Sequence, residues 1–389
     1  MGFLLSVPRA PATEEPQVTT TLFDIAADLD TPVSAYLKLK PFRPRFLLES
    51  VEGGERLARY SFIGFGDCME YRLDASGLTV NGVSEPRPAD QAQLLASLRQ
   101  ALARSPRPDV TQAGFPLLGG LVGAASYDLV RYFERLPSRA RVEGDVPDAH
   151  YVAPRSVLAF DHLTRRAALL HAGPEQERLA LRREVIQALR GGLPGPVRAT
   201  KFGPATASLS EESFLQNVAR TKEYIASGDV YQLVLSVCFA GRCDMDPFEA
   251  YRALRLLNPS PYMYFCELGD RVIVGSSPEA LVKLEGGVAH LRPIAGTLPR
   301  GADTAQDLAN EARLLADPKE NAEYVMLVDL ARNDLGRVAA AGSVRVDPYR
   351  SIERYSHVMH IVSGVIGRLA AGRDQFDLFA AAFPAGTLV

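Results

Sequence analysis

Short apolar runs separated by Gly, Pro and Asp breaks dominate the chain from residue 19 to about residue 160. RFLLES, RYSFIGF and GLVGAASYDLV are examples, and their lengths are typical of strands. Helical patterns occupy separate stretches, near 90–104 and over 304–335, and do not alternate regularly with the strands. The pattern therefore predicts an α+β protein with large, mostly antiparallel sheets instead of repeated βαβ units.

Composition excludes several classes of protein. The chain has 389 residues, of which 43 are basic and 46 are acidic, for a net charge of −3. This balance offers no basic face for a phosphate backbone, so nucleic acid is not an expected partner. No stretch approaches the roughly 20 apolar residues that cross a bilayer, and the four cysteines lack CxxC spacing. We therefore expect a cytoplasmic protein without a membrane partner.

Changes in composition also suggest domain boundaries. Residues 1–18 are expected to be a disordered N-terminus, followed by a strand-rich N-terminal region over 19–190. A proline-rich stretch without periodicity then predicts a linker over 191–209, and a second region spans 210–389. The second region is expected to open with a helix, because a serine followed by two glutamates predicts a helix start and a glycine 18 residues later its end.

The helix written DPKENAEYVMLVDLARND places two carboxylates, Glu320 and Glu323, three residues apart on one face. Such a pair suits Mg²⁺, which prefers oxygen ligands and keeps positions for water or substrate. Asp317 and Glu320 also fit a capping box, which would explain Glu320 without a metal. The apolar run after Glu323 predicts a buried helix, and a buried unpaired carboxylate would be costly, which favours a functional role.

Four other candidates carry weaker signals. Gly296 and Thr297 follow a strand pattern, where a ligand can approach the backbone, although a plain turn explains them equally well. Glu279 falls at a turn between strands, where catalytic groups and merely solvated glutamates both occur. His360 lies in an apolar segment typical of core histidines, and Gln232 lies on a predicted strand, either as a structural hydrogen-bonder or as a ligand contact.

Taken in order, several longer motifs resemble the chorismate-binding family of anthranilate, aminodeoxychorismate and isochorismate synthases. The resemblance spans about 210–388, and LLESVEGGERLARYSFIG and GGLVGAASYDLVRYFE resemble the regulatory portion of anthranilate and aminodeoxychorismate synthases. It implies a multi-layer α/β/β/α sandwich. The motifs of the second region are SGDVYQLVLS, NPSPYMYF, VGSSPEALVKLEGG, RPIAGTLPRG, DPKENAEYVMLVDLARNDLGRV, ERYSHVMHIVSG and FPAGTL.

Two positions distinguish the activities within this family. Members that use water as nucleophile carry a lysine where this chain has Gln232, and an amide cannot act as that general base. Aminodeoxychorismate synthases carry PIKGT, whose lysine can link covalently to the substrate, whereas Ala295 fills that position here. Both differences favour an anthranilate synthase large subunit. Aminodeoxychorismate synthase component I remains the alternative.

The resemblance implies a mechanism. Mg²⁺ would hold the ring carboxylate of chorismate, partly through Glu320 and Glu323. Glu279 would protonate the departing hydroxyl, ammonia would add to the ring, and His360 matches the residue for pyruvate elimination. Ammonia would come from glutamine through a separate glutamine amidotransferase subunit. The residues implied in substrate contact are Gly296, Thr297 and Thr387.

The resemblance further implies feedback inhibition by tryptophan. A carboxylate beside a hydroxyl suits the ammonium group of an amino acid, and a Pro-Tyr pair offers a flat wall for indole. An ordinary strand end packed on a turn would explain the same residues. The implied pocket consists of Glu49, Ser50, Pro261, Tyr262 and Met263.

The last residues depart from the family pattern. Relatives continue FPAGTLSGAPK and supply further Mg²⁺ carboxylates and closing strands, whereas this chain has Val389 after Leu388. We therefore expect a catalytic region truncated at the C-terminus, with exposed sheet edges and little activity by itself. A catalytically inactive fragment that binds tryptophan or a partner is the non-enzymatic alternative.

Overall fold

The computed structural model describes residues 23–51, 59–108, 117–137, 146–195, 200–354 and 358–385, together with the backbone of 2–5. Its α-helices are α1 (Pro32–Lys38), α2 (Gln91–Arg104), α3 (Glu175–Leu189), α4 (Glu211–Ser227), α5 (Pro247–Leu257), α6 (Thr304–Ala316), α7 (Pro318–Gly336) and α8 (Gln375–Ala382). Short 3-10 helices cover Lys40–Phe42 and Tyr127–Tyr132.

The strands fall into sheets in which all pairings of the described residues are antiparallel. Their bounds in the first half of the chain are β1 (Gly2–Leu5), β2 (Ile25–Ala26), β3 (Pro44–Glu49), β4 (Tyr60–Asp74), β5 (Gly77–Val80), β6 (Val83–Glu85), β7 (Leu121–Ala125), β8 (Ala149–Asp161) and β9 (Arg166–His171). Those of the second half are β10 (Thr206–Ala207), β11 (Phe239–Ala240), β12 (Tyr262–Leu268), β13 (Arg271–Ser277), β14 (Lys283–Glu285), β15 (Val288–Leu291), β16 (Ile294–Pro299), β17 (Arg345–Val346), β18 (Ser351–Arg354), β19 (Val358–Val362) and β20 (Val365–Arg368).

One large sheet organises the first half of the structure. In the described residues it has eleven strands, with β1, β7, β8, β4, β3, β12 and β13 as neighbours in that order. Alternate residues of β4 and β8 pack against helices α1, α2, α3 and α5 on one face, as the period of two requires. The predicted α+β class with large antiparallel sheets agrees with this architecture.

The predicted division at 191–209 does not separate two sheets. Strands β12 and β13 follow that stretch in the chain, yet β12 pairs with β3 in the large sheet. Within the stretch 1–18, for which disorder was expected, Gly2–Leu5 pairs with residues 121–124 of β7. The physical reason is that the edge of β7 offers unpaired backbone groups that another strand can satisfy.

Two smaller sheets and helices α6 and α7 form the core of the second half. Strands β14, β15, β20 and β17 make one sheet, and β16, β19 and β18 make the other. Helix α8 joins this core to the first half, because Phe376 and Phe379 pack with the cluster around α2 while Leu378 and Ala381 pack with α7. The two halves therefore share apolar contacts.

Local signals placed the two ends of α4 and the start of α7 correctly. Ser210 accepts a hydrogen bond from the backbone N–H of Ser213 at the start of α4, and Gly228 ends it with φ of 82°. Pro318 occupies the first turn of α7, and Asp317 accepts hydrogen bonds from Lys319 and Glu320 backbone N–H groups. Each signal acts within four residues, which explains why sequence alone detected it.

The predicted strand VYQLVLSVCF is wrong over most of its length. Residues 230–238 have no regular secondary structure, and only Phe239–Ala240 pairs, with Thr206–Ala207. Gln232 is therefore exposed and does not lie on a strand. The reason is that alternation cannot bury an apolar face without a neighbouring strand to supply hydrogen bonds and contacts.

Within the described ranges, no helix has the length and apolar character that crossing a membrane requires.

Candidate active site

A bulge in β16 brings the Gly-Thr motif beside a histidine. The register of β16 on β19 shifts between Ala295 and Thr297, and Gly296 takes a left-handed φ of 65°. Thr297 then lies directly opposite His360, whose Nδ1 is 3.0 Å from the Thr297 hydroxyl. The predicted candidates from two separate motifs therefore meet at one point of the small sheet.

The hydrogen bonds of His360 fix the tautomer of a neutral ring. Its Nδ1 lies 3.0 Å from the carbonyl oxygen of Gly296, which can only accept. Nδ1 therefore carries the hydrogen and donates it, and Nε2 is the nitrogen that can take up a proton. An imidazole held in this way is suited to act as a general base through Nε2.

Glu320 lies against the bulge. A Cβ atom at residue 296 would be 3.2 Å from Oε2 of Glu320 and 2.9 Å from Cδ1 of Leu314, so only glycine fits without displacement. Both the close approach of these atoms and the positive φ explain why residue 296 is a glycine. The carboxylate of Glu320 consequently lies next to the residue whose carbonyl holds His360.

The carboxylate of Glu320 does not cap α7. Asp317 caps the helix, while the carboxylate of Glu320 lies 3.2 Å from the ammonium of Lys319. Glu320 and Glu323 both raise the pKa of Lys319, and the largest cause is the hydrogen bond that the Lys319 ammonium donates to Glu320. Two negative charges therefore act on one small region of space, and the capping box that competed with a metal role is incomplete.

The burial predicted for this helix is only partly right. Its inward face is buried at Tyr324, Val328 and Leu335, whereas Val325 is half exposed and both glutamates are partly accessible. The helix packs against β16 and β20 and against helices α6 and α8, while its remaining surface faces solvent. Partial access to solvent lowers the cost of leaving these two carboxylates without an enclosing partner.

The donor set near Gly296 fits a hard cation that completes its shell elsewhere. Glu320 and Glu323 supply carboxylate oxygens from one helix face, which is a sufficient protein contribution for Mg²⁺ with water or substrate oxygens. In the part of the chain that the structure describes, no three His, Cys, Asp or Glu side chains gather as a metal site. A cation held by these two glutamates alone would therefore need further ligands.

Glu279 follows β13 on a turn stabilised by Ser277, whose hydroxyl donates to the Glu279 carbonyl at 2.8 Å. The residue has exposed surface, yet desolvation by the surrounding protein raises the pKa of its carboxyl to about 7. The Arg292 guanidinium opposes this rise. A carboxyl that is half protonated near neutral pH is suited to general acid catalysis.

The remaining predicted residues are less informative. Thr387 lies outside the described residues, and Gln232 is not brought to the bulge by any strand pairing. Ala295 is 5% exposed and packs in the core between β16 and α6. Its methyl group therefore offers no chemistry, as the sequence comparison with PIKGT anticipated.

The five residues of the implied tryptophan pocket lie on adjacent segments. Glu49 and Met263 are direct partners in the β3–β12 ladder, and the Val51 N–H donates to the Ser260 carbonyl at 3.2 Å. Pro261 is buried and Tyr262 is 41% exposed, whereas Met263 is buried in the core. The ladder thus joins motifs more than 200 residues apart in the sequence.

The carboxylate of Glu49 already has partners. Arg255 donates to both oxygens, at 3.0 and 3.3 Å, and the hydroxyl of Tyr251 donates to one of them. The hydroxyl of Ser50 is buried and finds no hydrogen-bond partner among the described residues. Ser50, not Glu49, is therefore the polar group left open for a ligand here.

Sequence reasoning missed Tyr251, Arg255 and Arg292. The first two lie on α5, where an arginine four residues after a tyrosine is an ordinary exposed pattern. Arg292 stands just before the PIAGT motif, but its partner Glu353 lies 61 residues later, on β18. Nothing in local spacing indicated which carboxylates these side chains would meet.

Comparison with known proteins places the chain in a family. Residues 43–389 match the family model described as chorismate binding enzyme. The anthranilate synthase component 1 of Thermus thermophilus is 45% identical over 370 residues, covering 93% of this chain and 78% of that protein.

Solved structures agree. The crystal structure of anthranilate synthase component I from Streptococcus pneumoniae matches with a TM-score of 0.74 and 28% identity over 97% of this chain and 81% of that one. The menaquinone-specific isochorismate synthase of Escherichia coli matches with a TM-score of 0.55 and 17% identity, covering 91% of this chain and 71% of its own, which supports the fold alone. The chain therefore belongs to the chorismate-binding enzyme family, among the anthranilate synthase component 1 proteins.

Proposed function

We propose that this chain is the large subunit of an enzyme that converts chorismate to anthranilate with Mg²⁺ and ammonia, and that the bulge at Gly296 lies at the centre of the active site. The observation that carries the proposal is the contact between the Glu320 carboxylate and Gly296, beside the hydrogen-bonded pair of Thr297 and His360. A cation ligand, a hydroxyl and an imidazole thereby converge on one glycine.

Glu320 and Glu323 would hold Mg²⁺ together with the ring carboxylate of chorismate. The bound cation would neutralise the charge of that carboxylate as the ring reacts. The absence of a side chain at position 296 lets Glu320 and Leu314 approach the bulge closely. Thr297 would donate or accept a hydrogen bond at the same edge.

The proton transfers follow from the surroundings of two side chains. The Glu279 carboxyl would give its proton to the ring hydroxyl oxygen as the C–O bond breaks, and water would leave. The nitrogen of ammonia forms the new bond to the ring. In the elimination step Nε2 of His360 would take the ring proton while the bond between the ring carbon and the enolpyruvyl oxygen breaks. The enolpyruvate takes up a proton and leaves as pyruvate, and the ring becomes aromatic.

Ammonia would come from glutamine through a separate amidotransferase component. The designation "component 1" of the relatives is the support, since it implies at least one further component. The proposed compartment is the cytoplasm. All four cysteines are described as free thiols, as expected in a reducing environment.

Tryptophan would inhibit the enzyme by binding beside Ser50. Its ammonium or carboxylate could satisfy the buried Ser50 hydroxyl, and its indole could pack on Pro261 and Tyr262. Met263 would contribute to the pocket by packing in the core behind Pro261 and Tyr262. The carboxylate of Glu49 is paired with Arg255. Tryptophan would have to rearrange this pair in order to reach the carboxylate.

Cation binding tests the proposal without requiring turnover. Titration calorimetry with MgCl₂ in the presence of chorismate should show binding to the wild-type chain and at least about tenfold weaker binding to Glu320→Gln and Glu323→Gln. Anthranilate fluorescence, with ammonium as the nitrogen source, should show a parallel loss of rate. Equal Mg²⁺ affinity in all three proteins would refute the proposed cation site.

Asp329→Asn is the matched control. It removes a carboxylate from the same helix, more than one turn further on, where Asp329 pairs with Arg332 at 2.9 Å. We expect its Mg²⁺ affinity to equal that of the wild type. Product analysis would separate the rival assignment, because aminodeoxychorismate as the released product would exclude anthranilate synthesis.

A further inference from the structure

Arg350 lies between the helix and the sheet that form the candidate active site. It directly precedes strand β18, which pairs with β19, and Glu353 of β18 lies opposite His360 in that ladder. Helix α7 carries the two glutamates of the proposed cation site. The residue is therefore placed to connect the side of the site that holds the imidazole with the side that holds the carboxylates.

The guanidinium of Arg350 holds the junction between helices α6 and α7. Its Nη2 donates to the carbonyl oxygen of Leu315 at 2.9 Å and to Oδ1 of Asn321 at 2.5 Å. Nδ2 of Asn321 in turn donates to the carbonyl oxygens of Leu315, at 2.9 Å, and Asp317, at 2.7 Å. The last carbonyls of a helix have no partner within the helix, and a cation near them is favourable. The arginine and the asparagine together therefore satisfy the end of α6 and fix where α7 begins.

The backbone of Arg350 holds the same helix one turn further on. Its N–H donates to the hydroxyl oxygens of Tyr324, at 3.1 Å, and Ser363, at 3.0 Å, and these two hydroxyls are hydrogen bonded to each other. Tyr324 and Ser363 are fully buried. Ser363 directly follows β19, and its N–H donates at 3.2 Å to the carbonyl oxygen of Pro293, just before β16. This buried group therefore joins α7 to both β16 and β19.

Arg350 has a backbone conformation that is uncommon for a residue with a side chain. Its φ is 52°, in the left-handed region, which costs free energy because Cβ crowds the backbone. Such conformations persist where the surrounding contacts determine them, and they cluster at functional sites. Here the N–H binds the two buried hydroxyls while the guanidinium binds the helix junction. The strained residue is thus held from both its backbone and its side chain.

Both glutamates of the proposed cation site are next to residues that Arg350 holds. Asn321 directly follows Glu320, and Tyr324 directly follows Glu323. A shift of the first two turns of α7 would move both carboxylates together, away from or towards the bulge in β16. Contacts outside the ligand set orient the ligands of a metal and contribute to its affinity. The position of these two turns therefore matters for any cation that the carboxylates bind.

We propose that Arg350 is a positioning residue of the cation site: by holding the first two turns of α7 against strands β16 and β19, it determines where Glu320 and Glu323 present their oxygens to Mg²⁺. This inference rests on the proposed function, in which those two glutamates bind the cation. None of the hydrogen bonds seen for Arg350 in the described part of the chain goes to either glutamate. Its influence therefore passes through the helix.

The sign of one substitution separates positioning from charge. Arg350→Gln removes a positive charge near the proposed site, so electrostatics alone would tighten Mg²⁺ binding. Loss of positioning should weaken it instead, and we expect about five- to tenfold weaker binding in titration calorimetry with MgCl₂ in the presence of chorismate. Arg350→Lys keeps the charge and a donor for the Leu315 carbonyl, so it should recover part of the affinity. Equal or tighter binding in Arg350→Gln would overturn the inference.

Asn321→Leu tests the same link without changing any charge. It removes the amide that joins Arg350 to the carbonyls of Leu315 and Asp317, and we expect about three- to fivefold weaker Mg²⁺ binding. Wild-type affinity in this variant would contradict the inference even if Arg350→Gln does not fold. The matched control is Arg313→Gln, which removes an exposed cation from the last turn of α6. Its Mg²⁺ affinity should be at least as high as that of the wild type, and a loss as large as in Arg350→Gln would also count against positioning.

Hydrogen exchange separates this inference from the proposed function. Without added cation, Arg350→Gln should raise the amide exchange rates of residues 319–324 in the full chain by about threefold or more relative to the rest of α7. If exchange changes in this way while neither the wild type nor the variants bind Mg²⁺, the proposed function fails but the link between helix and sheet stands. If the wild type binds Mg²⁺ and both variants match it in exchange and affinity, the proposed function stands and the role of Arg350 is refuted.

Discussion

The carboxylates of Glu49 and Glu320 differ in their exposure and in their hydrogen-bond partners. Glu49 is 5% exposed, and both its oxygens are hydrogen bonded, to Arg255 and Tyr251. Glu320 keeps 21% of its side chain exposed, and its cationic partner Lys319 is 81% exposed. The first carboxylate is enclosed by its partners, whereas the second has a partner that solvent can easily replace.

Because of this difference, the charge of Glu49 stabilises the fold, whereas that of Glu320 is available to a bound cation. Removing one member of a buried pair leaves the other uncompensated, so the Glu49 pair resists rearrangement. An exposed lysine is held weakly and is screened by salt, so Glu320 can exchange it for a cation at small cost. Glu279 resembles Glu320 in lacking an enclosing partner, and desolvation keeps its proton on near neutral pH.

The largest effect that this comparison predicts is on the rate in Glu279→Gln. An amide cannot donate the acid proton, so the rate of anthranilate formation should fall by about 10²–10³-fold. Initial rates from product fluorescence, combined with urea unfolding, check this. Stability should not fall, in contrast to the effect at Glu49. A variant that keeps the wild-type rate would remove Glu279 from the mechanism.

The pH dependence of the wild type carries the same information. The acid must be protonated, so the rate should decline as pH rises through about 7. The pKa of this carboxyl is higher in the folded chain than its ordinary value of 4.5, so the proton favours the fold. The free energy of unfolding should therefore decrease between about pH 4.5 and 7, by an amount that Glu279→Gln eliminates.

Glu49→Gln should have the largest effect on stability. It leaves Arg255 and Tyr251 without their anion, and the free energy of unfolding should fall by about 2–4 kcal/mol. Urea denaturation followed by circular dichroism measures it. Glu320→Gln is the isosteric control and should cost less than about 1 kcal/mol. Equal losses in the two variants would erase the distinction between enclosed and available carboxylates.

Gly296→Ala should be destabilising through both backbone and contact. Gly286 offers a control, because its φ of 56° is close to the 65° of Gly296 but a Cβ there meets nothing within 4 Å. Gly286→Ala should cost about 1 kcal/mol from the left-handed conformation alone. Gly296→Ala should cost about 1 kcal/mol more, because the methyl group would press on Leu314 and Glu320. An equal loss of unfolding free energy in the two variants would contradict the close approach of Leu314 and Glu320 to position 296.

The smallest effect is expected at Lys319. Lys319→Met removes the ammonium that competes for Glu320 and Glu323, so Mg²⁺ affinity should rise about two- to threefold at low ionic strength and less in high salt. Calorimetric titration at two salt concentrations measures this. Weaker Mg²⁺ binding in the variant would mean that the lysine supports the site instead of competing for it.

Sequence predicted those features that neighbouring residues decide. The caps at Ser210, Gly228 and Asp317 depend on contacts within a few residues, and all lie where expected. The family resemblance added the Gly296–Thr297 motif and His360, which the bulge brings together. Their spacing of 63 residues carried no geometric information by itself.

Long-range pairing accounts for most of what was missed. No strand was predicted over β12, and its pairing with β3 joins residues more than 200 positions apart, so the sharing of one sheet across the predicted linker could not be foreseen. The segment around Gln232 alternates equally well and finds no partner over most of its length. Arg255 pairs with Glu49, which lies 206 residues earlier in the sequence. Local sequence patterns carry no information about pairs so far apart.

Helix α8 has a consequence for how the molecule melts. Its eight residues contribute Phe376 and Phe379 to one apolar cluster and Leu378 to another, while Arg99 binds Asp374 at its N-terminal end. Neither cluster can open fully without exposing side chains of the same short helix. The two halves are thereby tied into one cooperative unit, in which local opening in either half raises the hydrogen-exchange rate of α8.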